Sequence, residues 1–109
     1  MKIRLRVHDA EFNGACILKV LVGTEAPTKS NDSVTIIELE NLGGCQIQIL
    51  AKDDTGKSIK LDNIEKLRIT LFGDSEAENI MKAARFIAEV LKKQMKDNAT
   101  AKEIYIEVD

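Results

Sequence analysis

Residues 75–95 read S-E-A-E-N-I-M-K-A-A-R-F-I-A-E-V-L-K-K-Q-M, and the fold of the whole chain is read outward from them. Ile80, Met81, Ala84, Ile87, Ala88, Leu91 and Met95 recur at steps of three and four residues, the spacing of one face of an α-helix. Ser75 and Glu78 have the form of a capping box, in which each side chain satisfies a backbone N–H at the helix start. Asp74, Glu76 and Glu78 lie at the beginning and Lys92, Lys93 and Lys96 at the end, which complements the helix dipole. Glu78–Lys82 and Glu89–Lys93 add favourable pairs four residues apart. Phe86 and Val90 are read as widening the apolar stripe, which makes them candidates for an interaction through the helix face.

Upstream, the pattern changes to the alternation of strands. Residues 2–8, K-I-R-L-R-V-H, place Ile3, Leu5 and Val7 on one face and Lys2, Arg4, Arg6 and His8 on the other. Asn13-Gly14 gives a turn, and residues 15–22, A-C-I-L-K-V-L-V, are expected as a central strand apolar on both faces. Residues 24–32 hold the only proline and several turn formers, so an exposed loop is expected there. Residues 33–40 and 45–51 read as two strands joined at Asn41–Gly44 in an antiparallel hairpin. A tight turn at Asp53–Lys57 leads to a short strand over 58–61. Residues 65–72 follow as another strand, with Leu67, Ile69 and Leu71 on one face. After the helix, residues 103–108, E-I-Y-I-E-V, alternate as a last strand.

The expected order is therefore β-β-β-β-β-β-α-β in a single α+β domain over residues 1–109. One helix has one stripe and covers only part of six to seven strands. The sheet is thus expected to be mainly antiparallel and either curled into a partial barrel packed on the helix or covered by a second chain.

Composition agrees with a folded domain: 109 residues, 44% hydrophobic and 31% charged. The net charge of −2, from 16 basic and 18 acidic residues, gives no overall attraction to a polyanion. No apolar run approaches the roughly 20 residues needed to span a bilayer, and the charged alternation of the first residues is unlike a signal core. The expected location is cytoplasmic, without membrane attachment. Cys16 and Cys45 are accordingly expected as reduced, buried thiols behaving as small hydrophobes.

The motifs that carry chemistry are missing. His8 is the only histidine, so a Cys–His pair would need Cys16 beside it across a hairpin, a spacing with little specificity. There is no zinc-ligand spacing. Asp53-Asp54-Thr55-Gly56 opens like a calcium loop, but the position that should hold Glu holds Ile64. Leu42-Gly43-Gly44 and Gly73-Asp74-Ser75 match no phosphate loop, and the acidic residues at the helix start oppose an anion there. Glu38 with Glu40 and Glu103 with Glu107 read as solvated strand faces. No catalytic, metal or cofactor residue is assigned, and no cofactor is expected.

What remains is interaction. The leading expectation is a non-enzymatic protein–protein interaction module, of the general make-up of small accessory, inhibitor or immunity-type proteins, self-associating as a homodimer or with another protein partner. The alternative is a nucleic-acid-binding domain using the basic row Lys2, Arg4, Arg6 and His8, although no aromatic residues are interleaved for base stacking. A small ligand-binding barrel or enzyme, with a cavity under the helix, is the third class.

Overall fold

The computed structural model describes residues 2–25, 33–97 and 101–108. Six antiparallel strands precede one long helix: β1 (Leu5–Asn13), β2 (Ile17–Glu25), β3 (Val34–Gly43), β4 (Ile49–Lys52), β5 (Ser58–Leu61), β6 (Lys66–Phe72) and α1 (Asp74–Gln94). The chain is α+β. It divides into two compact units, Met1–Ala77 and Glu78–Asp109.

In the first unit the strands make two sheets, one of order β1-β2-β3-β6 and one of β4 with β5. The larger sheet is open, so the expected curl into a partial barrel is not found. Its register explains why. Ala10, Val20, Leu39 and Leu67 form one cross-strand row; His8, Val22, Ile37 and Ile69 form the next. Two rows of the opposite face are Glu11, Lys19, Glu40 and Lys66, with signs that alternate across all four strands, and Asp9, Leu21, Glu38 and Arg68. Cross-strand charges of opposite sign attract, and a slip of one residue would turn every apolar side chain to the charged face. The sheet thus has one face that is mainly apolar and a second that is charged along the Lys19 and Glu38 rows and apolar at the next row, where Val7, Gly23 and Ile36 stand.

Gly23 has a specific task in the uncharged row of this second face. It stands opposite Val7 and Ile36, and a Cβ there would lie 2.5 Å from Val7 Cγ1 and 2.7 Å from the Arg6 carbonyl oxygen. Its missing side chain lets β1 and β2 close up. Beside it, Val34 and Ile36 are buried, and the Val34 N–H donates to Glu25 Oε1 at 3.1 Å.

Several expectations shift. The first strand begins at Leu5 and runs to Asn13, leaving Lys2, Ile3 and Arg4 ahead of it. The expected hairpin of residues 33–40 with 45–51 does not form. β3 continues to Gly43 and pairs with β2 and β6, while β4 pairs with β5. The reason is that β6 offers β3 a better complement, with Glu38 facing Arg68, Leu39 facing Leu67 and Ile37 facing Ile69. Thr24 and Glu25 belong to β2, and the rest of the expected loop, residues 26–32, lies outside the described residues. Residues 101–108 carry no strand despite their alternation, because no neighbour in the described residues supplies a ladder for them.

The turn at Asp53 is as read. Asp53 Oδ1 accepts from Thr55 Oγ1 at 2.6 Å, from the Thr55 N–H at 2.9 Å and from the Lys57 N–H at 2.9 Å, and Gly56 supplies the φ of 89°. In the helix the Glu78–Lys82 pair forms at 3.4 Å. The helix starts at Asp74, so Ser75 sits in its first turn rather than at the expected cap.

Candidate functional site

Within the sheet unit, the apolar face has a closed end and an open end. The closed end is built around Asn41. Its Nδ2 donates to the carbonyls of Cys45 at 2.7 Å and Ile64 at 3.3 Å, while its Oδ1 accepts from the N–H of Gly43 at 3.0 Å and of Cys45 at 3.2 Å. One side chain thereby ties the departure of the chain from β3 to its return toward β6. The backbone adds Asn41 N–H to Glu65 O at 2.8 Å and Ile64 N–H to Ile47 O at 3.0 Å. Under these bonds Leu18, Leu39, Ile47, Ile49, Ile64 and Leu67 close around an apolar cavity of about 40 Å³. The alternation expected at Cys45, Ile47 and Ile49 is what turns these residues inward.

Cys16 and Cys45 are joined in a disulfide across this end. The expectation of two reduced, buried thiols is therefore corrected: both residues are half-buried and bonded. The physical reason is the register, which brings the start of β2 beside the end of β3 at a Cα–Cα distance of 4.9 Å, within bridging range. Two cysteines in separate apolar runs give no sign of this, because strand order decides which runs become neighbours. Cys16 consequently has no thiolate to offer His8.

The open end is different. Val22 is 41% exposed, and Val20, Ile37, Ile69 and Leu71 are only half-buried; on the β1 edge Phe12, opposite Leu18, is 59% exposed. Beside the β1 edge, His8, Ala10, Phe12, Val20 and Val22 border a shallow depression of about 220 Å³. Arg6 and His8 stand on this same face, opposite Thr24 and Val22. Lys2, Arg4, Arg6 and His8 are all exposed, but Lys2 and Arg4 precede the strand. The expected continuous basic row on one strand is therefore interrupted.

The charged face holds its ions in pairs. Glu38, expected as a solvated residue, is buried and receives a hydrogen bond from Arg68 Nε, with Lys66 Nζ at 3.6 Å. The Arg68 hydrogen bond holds the Glu38 carboxyl below the usual carboxylate range against the opposing effect of burial, and the charges of Arg68 and Lys66 reinforce it. Lys19 lies 3.9 Å from Asp9. This is the signature of a sheet surface locked in register, unlike the raised carboxyl of a general acid. Among the described residues no group of His, Cys, Asp or Glu is placed to hold a metal ion.

In the second unit, at about 100° per residue, Val90 lies roughly 60° round the axis from Ile87 and Phe86 about 40° beyond Val90, so the apolar arc runs on from Ile87 to Phe86. Phe86 is 66% exposed and Val90 half-buried, and with Glu89, Lys92, Lys93 and Lys96 they border an apolar depression of about 390 Å³. On the stripe itself Met81 is 59% and Leu91 51% exposed. Ile104, Ile106 and Val108 of the C-terminal segment are exposed as well.

Comparison with protein-family models, with curated proteins and with solved structures finds no match.

Proposed function

We propose that this chain is a non-enzymatic interaction module that works by self-association. The observation that supports the reading is the mismatch between apolar content and burial. Hydrophobic residues make up 44% of the sequence, yet among the described residues only Val34, Ile36 and Ile64 form a buried hydrophobic core, and no side chain is fully buried. Apolar surface left in water is unfavourable by roughly 25 cal/mol per Å². Contiguous apolar faces of this kind mark association surfaces. Here they occur on the sheet, on the helix and along residues 104–108.

The reading ranks ahead of nucleic-acid binding because Arg6 and His8 border the apolar face and Lys2 and Arg4 lie outside the strand. It ranks ahead of catalysis because the strongest polar cluster, Glu38 with Arg68 and Lys66, is internally neutralised. The test is size-exclusion chromatography with light scattering across a concentration series. The expected result is a mass of twice 12.1 kDa or more at high micromolar concentration, falling on dilution. A strictly monomeric mass over the whole series removes the proposal.

A further inference from the structure

We propose that the Cys16–Cys45 bridge is a reversible redox clasp, opened by a dithiol reductant, that fastens the segment over residues 44–65 to the start of β2. This goes beyond the self-association reading and stands or falls separately from it.

The clasp lies wholly within the sheet unit. The segment leaves β3 after Gly43, carries β4 and β5 as a sheet of their own, and returns to β6 at Lys66. Its polar ties lead back to β3. Asn41 holds the carbonyls of Cys45 and Ile64, and the Asn41 N–H donates to Glu65 O. Toward β2 it has one covalent link, the disulfide, placed where the register of β2 on β3 shifts between Ile17 and Leu18.

Three features let this bond open and close again without loss of the strand ladder. Gly44 has a φ of 77°, and a Cβ on it would lie 3.3 Å from the Ala15 carbonyl oxygen and 3.6 Å from Cys16 Cα. Its bare backbone brings Cys45 up to Cys16 and leaves a flexible joint beside the bridge. Cys16 and Cys45 are half-buried and flanked by the exposed Ala15, Gly44 and Gln46, which gives a small thiol a way in. Cys45 Sγ lies 3.6 Å from the Ile17 carbonyl oxygen. Once reduced, its S–H donates there, which keeps the thiol beside Cys16 and ready to close again.

The reaction is thiol–disulfide exchange. A thiolate of the reductant attacks one bridge sulfur, the Cys16–Cys45 bond breaks, and the other cysteine leaves as a thiolate. The second thiol of the reductant then attacks the mixed disulfide. The reductant ends as a disulfide, both cysteines end as thiols, and two electrons and two protons have passed to the protein. Neither cysteine belongs to a strand of the four-stranded ladder, so the ladder persists. What loosens is residues 44–65, which keep Asn41 and lose β2.

Limited trypsin digestion of the full chain, with and without dithiothreitol, tests this. In the reduced protein, cleavage after Lys52, Lys57 and Lys60 should quicken by about tenfold or more, ahead of any cut after Lys19 in β2. Oxidised dithiothreitol should restore the slow pattern. The variant Cys16→Ser/Cys45→Ser should show the fast pattern with or without reductant. Thiol alkylation of the native protein should show bridge opening at a rate proportional to dithiothreitol concentration.

A rate that levels off at the independently measured unfolding rate means that the bridge is reached only by unfolding, and it overturns the proposal. So does a cut after Lys19 that rises in step with the others, which makes the bridge a staple of the whole sheet. Cleavage within 44–65 that reduction leaves unchanged overturns it as well. None of these outcomes bears on the mass of the protein in solution, so the self-association reading is tested apart.

Discussion

The four-stranded sheet and the helix are both rich in apolar residues, yet they are held in shape by different kinds of interaction. The sheet depends on partners far apart in sequence. Asn41 spans to Ile64, Cys16 bonds Cys45 across 29 residues, and Glu38 reaches Arg68. The helix depends on neighbours: acidic residues in its first turn, basic residues in its last, and Glu78 beside Lys82. Damage to the sheet should therefore spread, whereas damage to the helix should stay local and small.

The largest effect should come from the disulfide. Replacing Cys16 and Cys45 by Ala releases a loop of 29 residues and should lower stability by about 3–4 kcal/mol on the chain-entropy account. Urea denaturation followed at the sheet should report the loss, with helical ellipticity little changed before the main transition. Alkylation of the denatured, non-reduced protein should find no free thiol; two reactive thiols would show that the closed end is not covalently tied.

Next in size is Gly23→Val, which drives a side chain into Val7 and the Arg6 carbonyl and should cost about 1–3 kcal/mol or more. Gly14→Ala is the control. A Cβ there meets nothing within 4 Å, and stability should stay within about 0.5 kcal/mol of wild type. Equal effects at the two glycines would contradict the register of β1 on β2.

The Glu38 cluster gives a smaller, pH-dependent effect. The folded carboxyl titrates below its unfolded value of 4.5, so its stabilisation is fully present above that pH and is lost as pH falls through the folded pKa. Arg68 and Lys66 are largely exposed, so solvent screening holds the contribution to about 1 kcal/mol. Urea midpoints at pH 6 and pH 3 should converge in Glu38→Gln relative to wild type. An identical pH slope in the variant would place the acid sensitivity elsewhere. Smallest of all, Glu78→Ala removes an exposed pair on the helix and should shift its thermal melt by the equivalent of only about 0.3–0.5 kcal/mol.

The same difference in range explains what is legible in the sequence. The helix, the Asp53 turn, β5 and the inward side of β6 are readable because their signals lie within a few residues of one another. The pairing of β3 is not, since Asn41–Gly44 looks like a hairpin tip while the residue that faces Glu38 is 30 positions on, at Arg68. Glu38 looks solvated along the chain because its neighbours on β2 and β6 are invisible there.

By itself the sequence determined the α+β class, the helix with its charged ends, and the alternation that gives β6 one apolar side. These follow from periodicity and local hydrogen bonding, which act over a turn or a strand. Tertiary structure alone decided which strands became neighbours, that Cys16 would meet Cys45, that Glu38 would be buried between cations, and that the sheet would stay open. Those outcomes depend on register, a choice among long-range pairings that is settled only when all four strands align their apolar and their charged rows.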